Sequence, residues 1–196
     1  MHPELLSMSL FMLVTSCSPG PNNIVASYSA FNFGIIKTIP HMCGVIFGFT
    51  TLVAIMNFGL VNIFQRYPII QEILKYTGSL FLIYLAYKIS FSKSNTEDSS
   101  KSPVKFIETF FFQFINPKSV IVSVIMVSTY VDRGKDFLFY SFWVIGVAFL
   151  FALISINFWT LVGKFLRRFA TNEKFIKRFN YVMSFLLLIC IGTFYL

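Results

Sequence analysis

Charged residues are scarce in this sequence. Only 12% of the 196 residues are charged, whereas 56% are hydrophobic and 19% are aromatic, and the mean hydropathy is +0.73. Because a soluble domain carries about 25% charged residues, this composition excludes an ordinary soluble protein. The apolar runs are roughly 20 or more residues long and lack the short alternation of barrel strands. We therefore predict an all-α membrane protein.

Cysteine and histidine are also too few to build a site. The three cysteines, Cys17, Cys43 and Cys190, lie in apolar runs without a CxxC pair, and the two histidines, His2 and His41, are isolated. Neither pattern matches a disulfide framework or a metal site. We therefore expect no metal and no cofactor, and we expect His41 to pack near the membrane interface at the start of its apolar run.

Acidic side chains are missing from the interiors of the apolar runs. All of them lie near run ends or in loops: Glu4, Glu72, Glu97, Asp98, Glu108, Asp132, Asp136 and Glu173. This removes the simplest carrier of a coupled proton. For Glu108, the closest to an interior, an interfacial role and a gating or proton role both remain open. The GxxxxGK[ST] loop of ATP-binding proteins is absent too. We expect no ATP hydrolysis and no enzymatic activity, so uphill transport would need an ion gradient.

Basic residues outnumber acidic ones, and the formal net charge is +8. They lie between apolar runs rather than on a basic domain, so the pattern does not favour nucleic-acid binding. Under the positive-inside rule, the basic loops 1, 3 and 5 are cytoplasmic, while loops 2 and 4 and both termini lie outside. We expect a multi-pass protein of the plasma (inner) membrane of a bacterium.

The apolar sequence divides into six segments. They cover about residues 5–31, 38–64, 69–91, 105–130, 137–162 and 179–196. The polar stretch 92–104 reads as a flexible linker. We predict a single transmembrane domain, 1–196, with six transmembrane helices and repeat halves of about 1–91 and 105–196. The basic and aromatic run 165–179 is expected either to lie along the inner leaflet or to form a solvated loop.

The first segment is interrupted near its middle. Two prolines around a glycine break a helix there, and the freed carbonyl and amide groups cannot face lipid. The interruption consists of Ser18, Pro19, Gly20, Pro21, Asn22 and Asn23. About a dozen preceding residues, roughly 18 Å of helix, place it near the middle of a bilayer core of about 30 Å. A break at this depth indicates a site for a polar ligand.

The fourth segment is interrupted in a similar way, about half a chain later. Its break consists of Asn116, Pro117 and Lys118. Three crossings in each half would reverse the orientation of the second half relative to the first. We therefore predict a 3+3 inverted repeat with broken first and fourth helices and a site where the two breaks meet.

The polar side chains at the breaks are the candidate binding residues. Asn22, Asn23 and Asn116 offer neutral hydrogen-bonding groups, and the half-helices that follow begin with free amides, which attract a carboxylate. Helix capping alone remains the alternative for these asparagines. Lys118 is expected to meet a carbonyl cluster, a substrate carboxylate or water, or else to extend to an interface.

Two glycines in the second segment have the small-xxx-small spacing. They are Gly44 and Gly48. Such a spacing lets helix backbones approach closely, so we expect these glycines to serve packing rather than binding.

These motifs resemble those of the LysE/RhtB family of amino-acid exporters, the LysE-type translocators. The run 18–23, Ser-Pro-Gly-Pro-Asn-Asn, is similar to the family's Thr-Pro-Gly-Pro-Asn-Asn signature, and the run 116–118 is similar to its second Asn-Pro-Lys motif. The similarity covers nearly the whole chain. The sequence departs from the family at Gly48 and Phe49, where Gly-Asp is common.

The resemblance implies a secondary transporter that exports amino acids or related small zwitterions by alternating access. Its implied substrate-binding residues are Ser18, Pro19, Gly20, Pro21, Asn22, Asn23, Asn116, Pro117 and Lys118. We expect a small-molecule substrate and membrane lipid as partners, with a homodimer as an open alternative. Two other functions stay open: an ion transporter or channel of the same superfamily, and a transport-inactive membrane partner protein, suggested by the missing acid at Phe49.

Overall fold

In the computed structural model, residues 3–91, 104–131, 136–170 and 172–195 are described, and every regular element in these ranges is helical. The helices are α1 Pro3–Cys17, α2 Pro21–Phe33, α3 Ile35–Ile55, α4 Val61–Arg66, α5 Ile69–Ser90, α6 Phe106–Ile115, α7 Pro117–Tyr130, α8 Phe137–Arg167 and α9 Glu173–Gly192. A π-helical turn, Met56–Leu60, joins α3 to α4. All but the last residue of the expected linker 92–104 lies outside the described residues.

The chain breaks at both places that the prolines indicate. Gly20 is extended (φ −140°, ψ 172°) between α1 and α2, and Asn116 is extended (φ −79°, ψ 109°) between α6 and α7. Pro21 and Pro117 each begin the second half-helix, where a missing N–H costs nothing. The axes of α6 and α7 are bent by 61° relative to each other.

Four helical stretches in the described residues are long and apolar enough to cross a membrane: Ile35–Phe64, Ile69–Ser90, Phe137–Arg167 and Glu173–Gly192. The bent pair α6–α7 makes a fifth if it is counted as one span. Residues Leu5–Cys17 of α1 form a shorter apolar helix. By length and composition alone, the described helices therefore provide at most five crossings, whereas the sequence predicts six.

Two boundaries differ from the sequence-based expectation. The second segment is not one regular helix, because Gly59 in the π-helical turn has a φ of +135°, a conformation open to glycine but strained for other residues. The basic run 165–179 is not one surface element either. Helix α8 continues to Arg167 and α9 begins at Glu173, so the run is divided between two helix ends.

Helices α1 and α2 follow α8 along its length in the same direction. Leu5 lines a small cavity with Trp143, near the start of α8. Further along, Ser155 donates to the Ser16 carbonyl, and beyond it the Ser27 hydroxyl donates to the Trp159 carbonyl. The α1–α2 pair therefore extends through most of the thickness that the 31-residue α8 spans.

Helix α3 lies parallel to α6 at very short distance. A Cβ added to Gly44 would lie 2.8 Å from the Phe106 carbonyl oxygen, and one added to Gly48 would lie 2.8 Å from that of Phe110. The predicted close approach of a helix thus occurs at both glycines. Helix α3 also packs on α8, and α5 packs on α9. Helix α2 lies inside this bundle, with every residue from 23 to 31 buried.

Candidate functional site

The two breaks meet at Lys118. Its ammonium group donates to the Ser18 hydroxyl at 2.7 Å and to the Ser18 carbonyl at 3.2 Å. The side chain passes directly over Gly20, where an added Cβ would lie 2.9 Å from Nζ. Glycine in the first break therefore gives the lysine of the second break its place, and the lysine does not extend to an interface.

A cavity of about 80 Å³ lies beside this contact. One water molecule needs about 10–15 Å³, so the cavity can hold several small polar groups. Its walls come from both halves of the chain: Met12, Thr15, Ser16, Gly20, Pro21, Asn22, Asn23, Val45, Phe49, Asn116, Lys118, Ser119, Val122, Ala152, Ser155 and Ile156. Lys118 is the charged side chain among them, and no acidic side chain is in this set.

Six of the nine predicted site residues line the cavity: Gly20, Pro21, Asn22, Asn23, Asn116 and Lys118. The other three are Ser18, Pro19 and Pro117. Ser18 holds the lysine, and Pro117 is buried at the start of α7, whereas Pro19 is exposed. The breaks thus bring most of the predicted residues together.

Asn23 satisfies the end of α1. Its side-chain amide donates to the carbonyls of Ser16 at 3.0 Å and Ser18 at 3.2 Å. Its oxygen faces the Ser155 hydroxyl at 3.3 Å, and that hydroxyl also donates to Ser16 at 2.8 Å. These bonds cover carbonyls that lost their helical partners at the break, so Asn23 has a structural function in this conformation.

Asn22 pairs with Gln113 across the two halves. Its amide donates to the Gln113 oxygen at 2.8 Å, and the Gln113 amide donates back to the Asn22 oxygen at 3.1 Å. Gln113 is fully buried, accepts from Ser119 at 3.0 Å and donates to the Thr109 carbonyl at 3.0 Å. The first half-helix of the second break is thereby fixed to the second half-helix of the first break.

His41, which the sequence predicts to pack near the membrane interface, joins the same network. It is 2% exposed, with Nε2 at 3.1 Å from the Asn22 carbonyl and Nδ1 at 2.9 Å from the Thr109 hydroxyl. A carbonyl only accepts, so Nε2 carries a proton. The neighbouring helices α2 and α6 cover the ring. Each supplies a hydrogen-bond partner for one ring nitrogen, which offsets the cost of burying it.

Asn116 acts as a helix cap. Its side-chain oxygen accepts from the Lys118 backbone N–H at 3.2 Å at the start of α7. Helix α5 covers this break, since a Cβ added to Gly78 would clash with the Ile115 carbonyl. Capping does not remove Asn116 from the cavity wall, where it remains beside Lys118.

Phe49 occupies the place where an acid is common in similar sequences. It is 8% exposed and lines the cavity with Val45 and Val122. This wall is therefore apolar. Among the described residues, no group of three or more His, Cys, Asp or Glu side chains is arranged to hold a metal ion.

The sequence motifs predict no binding role for four polar residues at or near the cavity: His41, Gln113, Ser119 and Ser155. One signal was present, because Thr109 and Gln113 are four residues apart in an apolar half-helix and so share one face. For Ser155, one of two serines in the long apolar α8, the sequence gives no local signal.

Comparison with known proteins agrees with this architecture. The LysE type translocator family matches residues 13–196. The cysteine/O-acetylserine efflux proteins of Salmonella choleraesuis (strain SC-B67) and Salmonella typhimurium (strain LT2) are each 31% identical over 195 residues, 97% of both chains. The protein of that name from Escherichia coli (strain K12) is 30% identical over 198 residues, again 97% of both chains. No solved structure matches the chain.

The family assignment and the apolar helices agree on a multi-pass protein of the bacterial inner membrane. Translocators move solutes and are not an enzyme class. The chain belongs to the LysE type translocator family.

Proposed function

We propose that this protein exports a small amino acid or a related zwitterion by alternating access at the cavity between the two breaks. The observation that carries this proposal is the partly buried Lys118 ammonium, which donates to Ser18 of the opposite half beside a cavity lined by neutral polar and apolar side chains. The relatives named for cysteine and O-acetylserine efflux support a substrate of this size.

The cavity wall offers groups of both signs to a zwitterion. Helices α2 and α7 begin at its wall with Pro21 and Pro117, and the positive ends of these half-helices attract a carboxylate. Lys118, which also lines the cavity, adds a full positive charge. The carbonyl end of α1 at Ser16 is negative and favours the substrate ammonium group. The apolar wall at Phe49 then contacts the short side chain of the substrate.

The same charge distribution does not favour a cation channel. The charged side chain in the cavity wall is a lysine, which repels cations, and no carboxylate is in the wall to offset it. A zwitterion brings its own carboxylate to Lys118, so an organic substrate suits the site better than a metal cation.

A six-crossing inverted repeat is part of this proposal. Helices α1 and α2 together follow α8, which is long enough to cross a membrane, and therefore count as one broken span. The bent pair α6–α7 is its counterpart in the second half. With Lys37, Lys105 and Lys164 near one end of the bundle, the positive-inside rule makes that end cytoplasmic and puts the termini outside.

Efflux of cysteine and O-acetylserine tests this function. Cells that express the parent chain would be compared with cells that express Lys118→Met at equal membrane abundance. The exposed Lys164→Met on α8 is the matched control for loss of a positive charge. We expect efflux from the parent and from Lys164→Met, and at least about a tenfold loss in Lys118→Met, since one lost charge contact is worth 1.4 kcal/mol or more. Equal efflux from the parent and Lys118→Met, or no efflux above background from the parent, would overturn the proposal.

A further inference from the structure

One side of the cavity is closed by a buried network that we call the polar latch. It consists of Asn22 on α2, His41 on α3, and Thr109 and Gln113 on α6. His41, Thr109 and Gln113 are 2%, 1% and 0% exposed. The consecutive helices α2 and α3 thus meet α6, from the second half of the chain, through four polar side chains and one backbone carbonyl.

In the polar latch, each donor can be matched with an acceptor while all the side chains are neutral. The Asn22 carbonyl accepts from Nε2 of His41, so Nδ1 accepts from the Thr109 hydroxyl. The Asn22 and Gln113 amides exchange two bonds at 2.8 and 3.1 Å. Buried networks of this kind are stable only while all their members are paired, so the polar latch favours a closed arrangement of α2 against α3 and α6.

The polar latch lies between the cavity and the basic end of the bundle. Along α3, His41 precedes the cavity residues Val45 and Phe49 and follows Lys37. Ser29 of α2 lies further toward that end, where its hydroxyl is 2.9 Å from the Thr38 hydroxyl. The polar latch therefore lies between the basic end and the cavity along both α2 and α3.

The opposite side of the cavity is closed differently. Four methionines, Met8, Met12, Met56 and Met126, are each at most 2% exposed in the apolar cluster there. Methionine side chains repack easily around different shapes. On the latch side, by contrast, glycines bring backbones together, and separation must break directed hydrogen bonds.

We propose that the polar latch is the gate on the cytoplasmic side of the site and that this structure has that gate closed. Opening separates Asn22 from both His41 and Gln113, which moves α2 away from α3 and α6. His41 and Gln113 are then positioning residues for the gate, whereas Lys118 binds. The assignment of the cytoplasmic side rests on the proposed function and its topology.

The reactivity of a buried cysteine reports on this gate without any substrate. The background chain carries Cys17→Ala, Cys43→Ala and Cys190→Ala, so that a single introduced thiol remains. Ser29→Cys places the reporter thiol in the contact between α2 and α3 beside the gate, at a site that is 1% exposed and that opening would uncover. Ser184→Cys on α9, 5% exposed and bonded to the Ala86 carbonyl, reports general loosening far from the latch. The probe is N-ethylmaleimide in intact membranes.

Three substitutions remove latch bonds with little change in volume: His41→Phe, Gln113→Leu and Thr109→Val. We expect each of the first two to raise the labelling rate at Ser29→Cys about three- to tenfold, and Thr109→Val, which removes a single partner, to raise it about twofold. His41→Gln restores a donor for the Asn22 carbonyl and should return the rate toward that of the parent. Thr50→Val is the matched control, because the Thr50 hydroxyl bonds only to Ile46 of its own helix.

Two results would overturn the gate. One is an unchanged labelling rate at Ser29→Cys in the latch variants. The other is an equal rise at Ser184→Cys, which means general loosening. If the larger substitutions reduce abundance, Thr109→Val and His41→Gln give the same comparison with smaller changes. Because labelling needs no substrate, absence of amino-acid efflux would refute the proposed function separately from the gate.

Discussion

The ammonium nitrogen of Lys118 lies 2.7 Å from the hydroxyl oxygen of Ser18, which stands 100 residues earlier in the chain. The same Ser18 also offers its carbonyl to Lys118 and, on the other lone pair, to Asn23. The first break thus supplies acceptors and the second supplies the cation. Neither half of the chain contains the whole cavity wall.

Removing the Ser18 hydroxyl is expected to weaken transport. Ser18→Ala leaves Lys118 with one fewer acceptor, and a hydrogen bond to a charged group contributes about 1.5–3 kcal/mol. We expect a loss of efflux of about tenfold or more and a lower melting temperature in detergent. Ser18→Thr keeps the hydroxyl and serves as the control. Equal efflux from Ser18→Ala and Ser18→Thr would contradict the role of this contact.

Adding a methyl group at Gly48 is expected to destabilise the protein. A Cβ there would lie 2.8 Å from both the Gln113 Cγ and the Phe110 carbonyl oxygen, and overpacking of this kind costs about 1–3 kcal/mol. Gly146→Ala on α8 is the control, because nothing lies within 4 Å of its Cβ position. Thermal unfolding in detergent should separate the two variants, and equal melting temperatures would count against the close α3–α6 contact.

Asn23 and Asn22 are expected to respond differently to alanine. Asn23→Ala removes one of the two donors to each of the Ser16 and Ser18 carbonyls, and each lost hydrogen bond costs about 0.5–1.5 kcal/mol. We expect low membrane abundance and low stability. Asn22→Ala, whose partner Gln113 keeps its bonds to Thr109 and Ser119, should accumulate better. Quantitative immunoblots of membranes with melting curves check this order, and the reverse order would refute the structural role of Asn23.

Phe49 is expected to limit the size of the substrate. Phe49→Ala would remove most of a bulky apolar side chain from the cavity wall. Efflux should extend to amino acids with larger side chains, while loss of packing lowers stability by about 3–5 kcal/mol at most. Competition assays with a series of amino acids measure the change. Phe49→Leu, a smaller reduction, should have an intermediate profile, and an unchanged size preference in both variants would remove Phe49 from the substrate wall.

The positions of the breaks follow from the sequence because they are local properties. Pro21 and Pro117 each begin a helix whatever surrounds them, and Gly20 and Asn116 supply the extended residues before them. The meeting of the breaks also agrees with the prediction. The bend of α3 at Gly59 is local too, but one glycine in an apolar helix does not by itself indicate a π-helical turn.

The polar latch could not be read from the sequence in the same way. His41 is a single histidine after Pro40, and only the burial that α2 and α6 impose on it distinguishes it from a residue at the membrane interface. Gln113 likewise gains its function from Asn22, 91 residues away. Such pairings depend on tertiary packing, which spacing along one helix does not encode.

The lysine contact described first has a consequence for biosynthesis. While the ribosome is still producing the second half, α7 must enter the membrane with a cation at its start, and that cation has its acceptors on Ser18 of a segment already made. An unpaired lysine at this depth costs several kcal/mol. We therefore expect completed α1 and α2 to stabilise the inserted α7, and we expect the second half made alone to insert poorly until the first half is supplied.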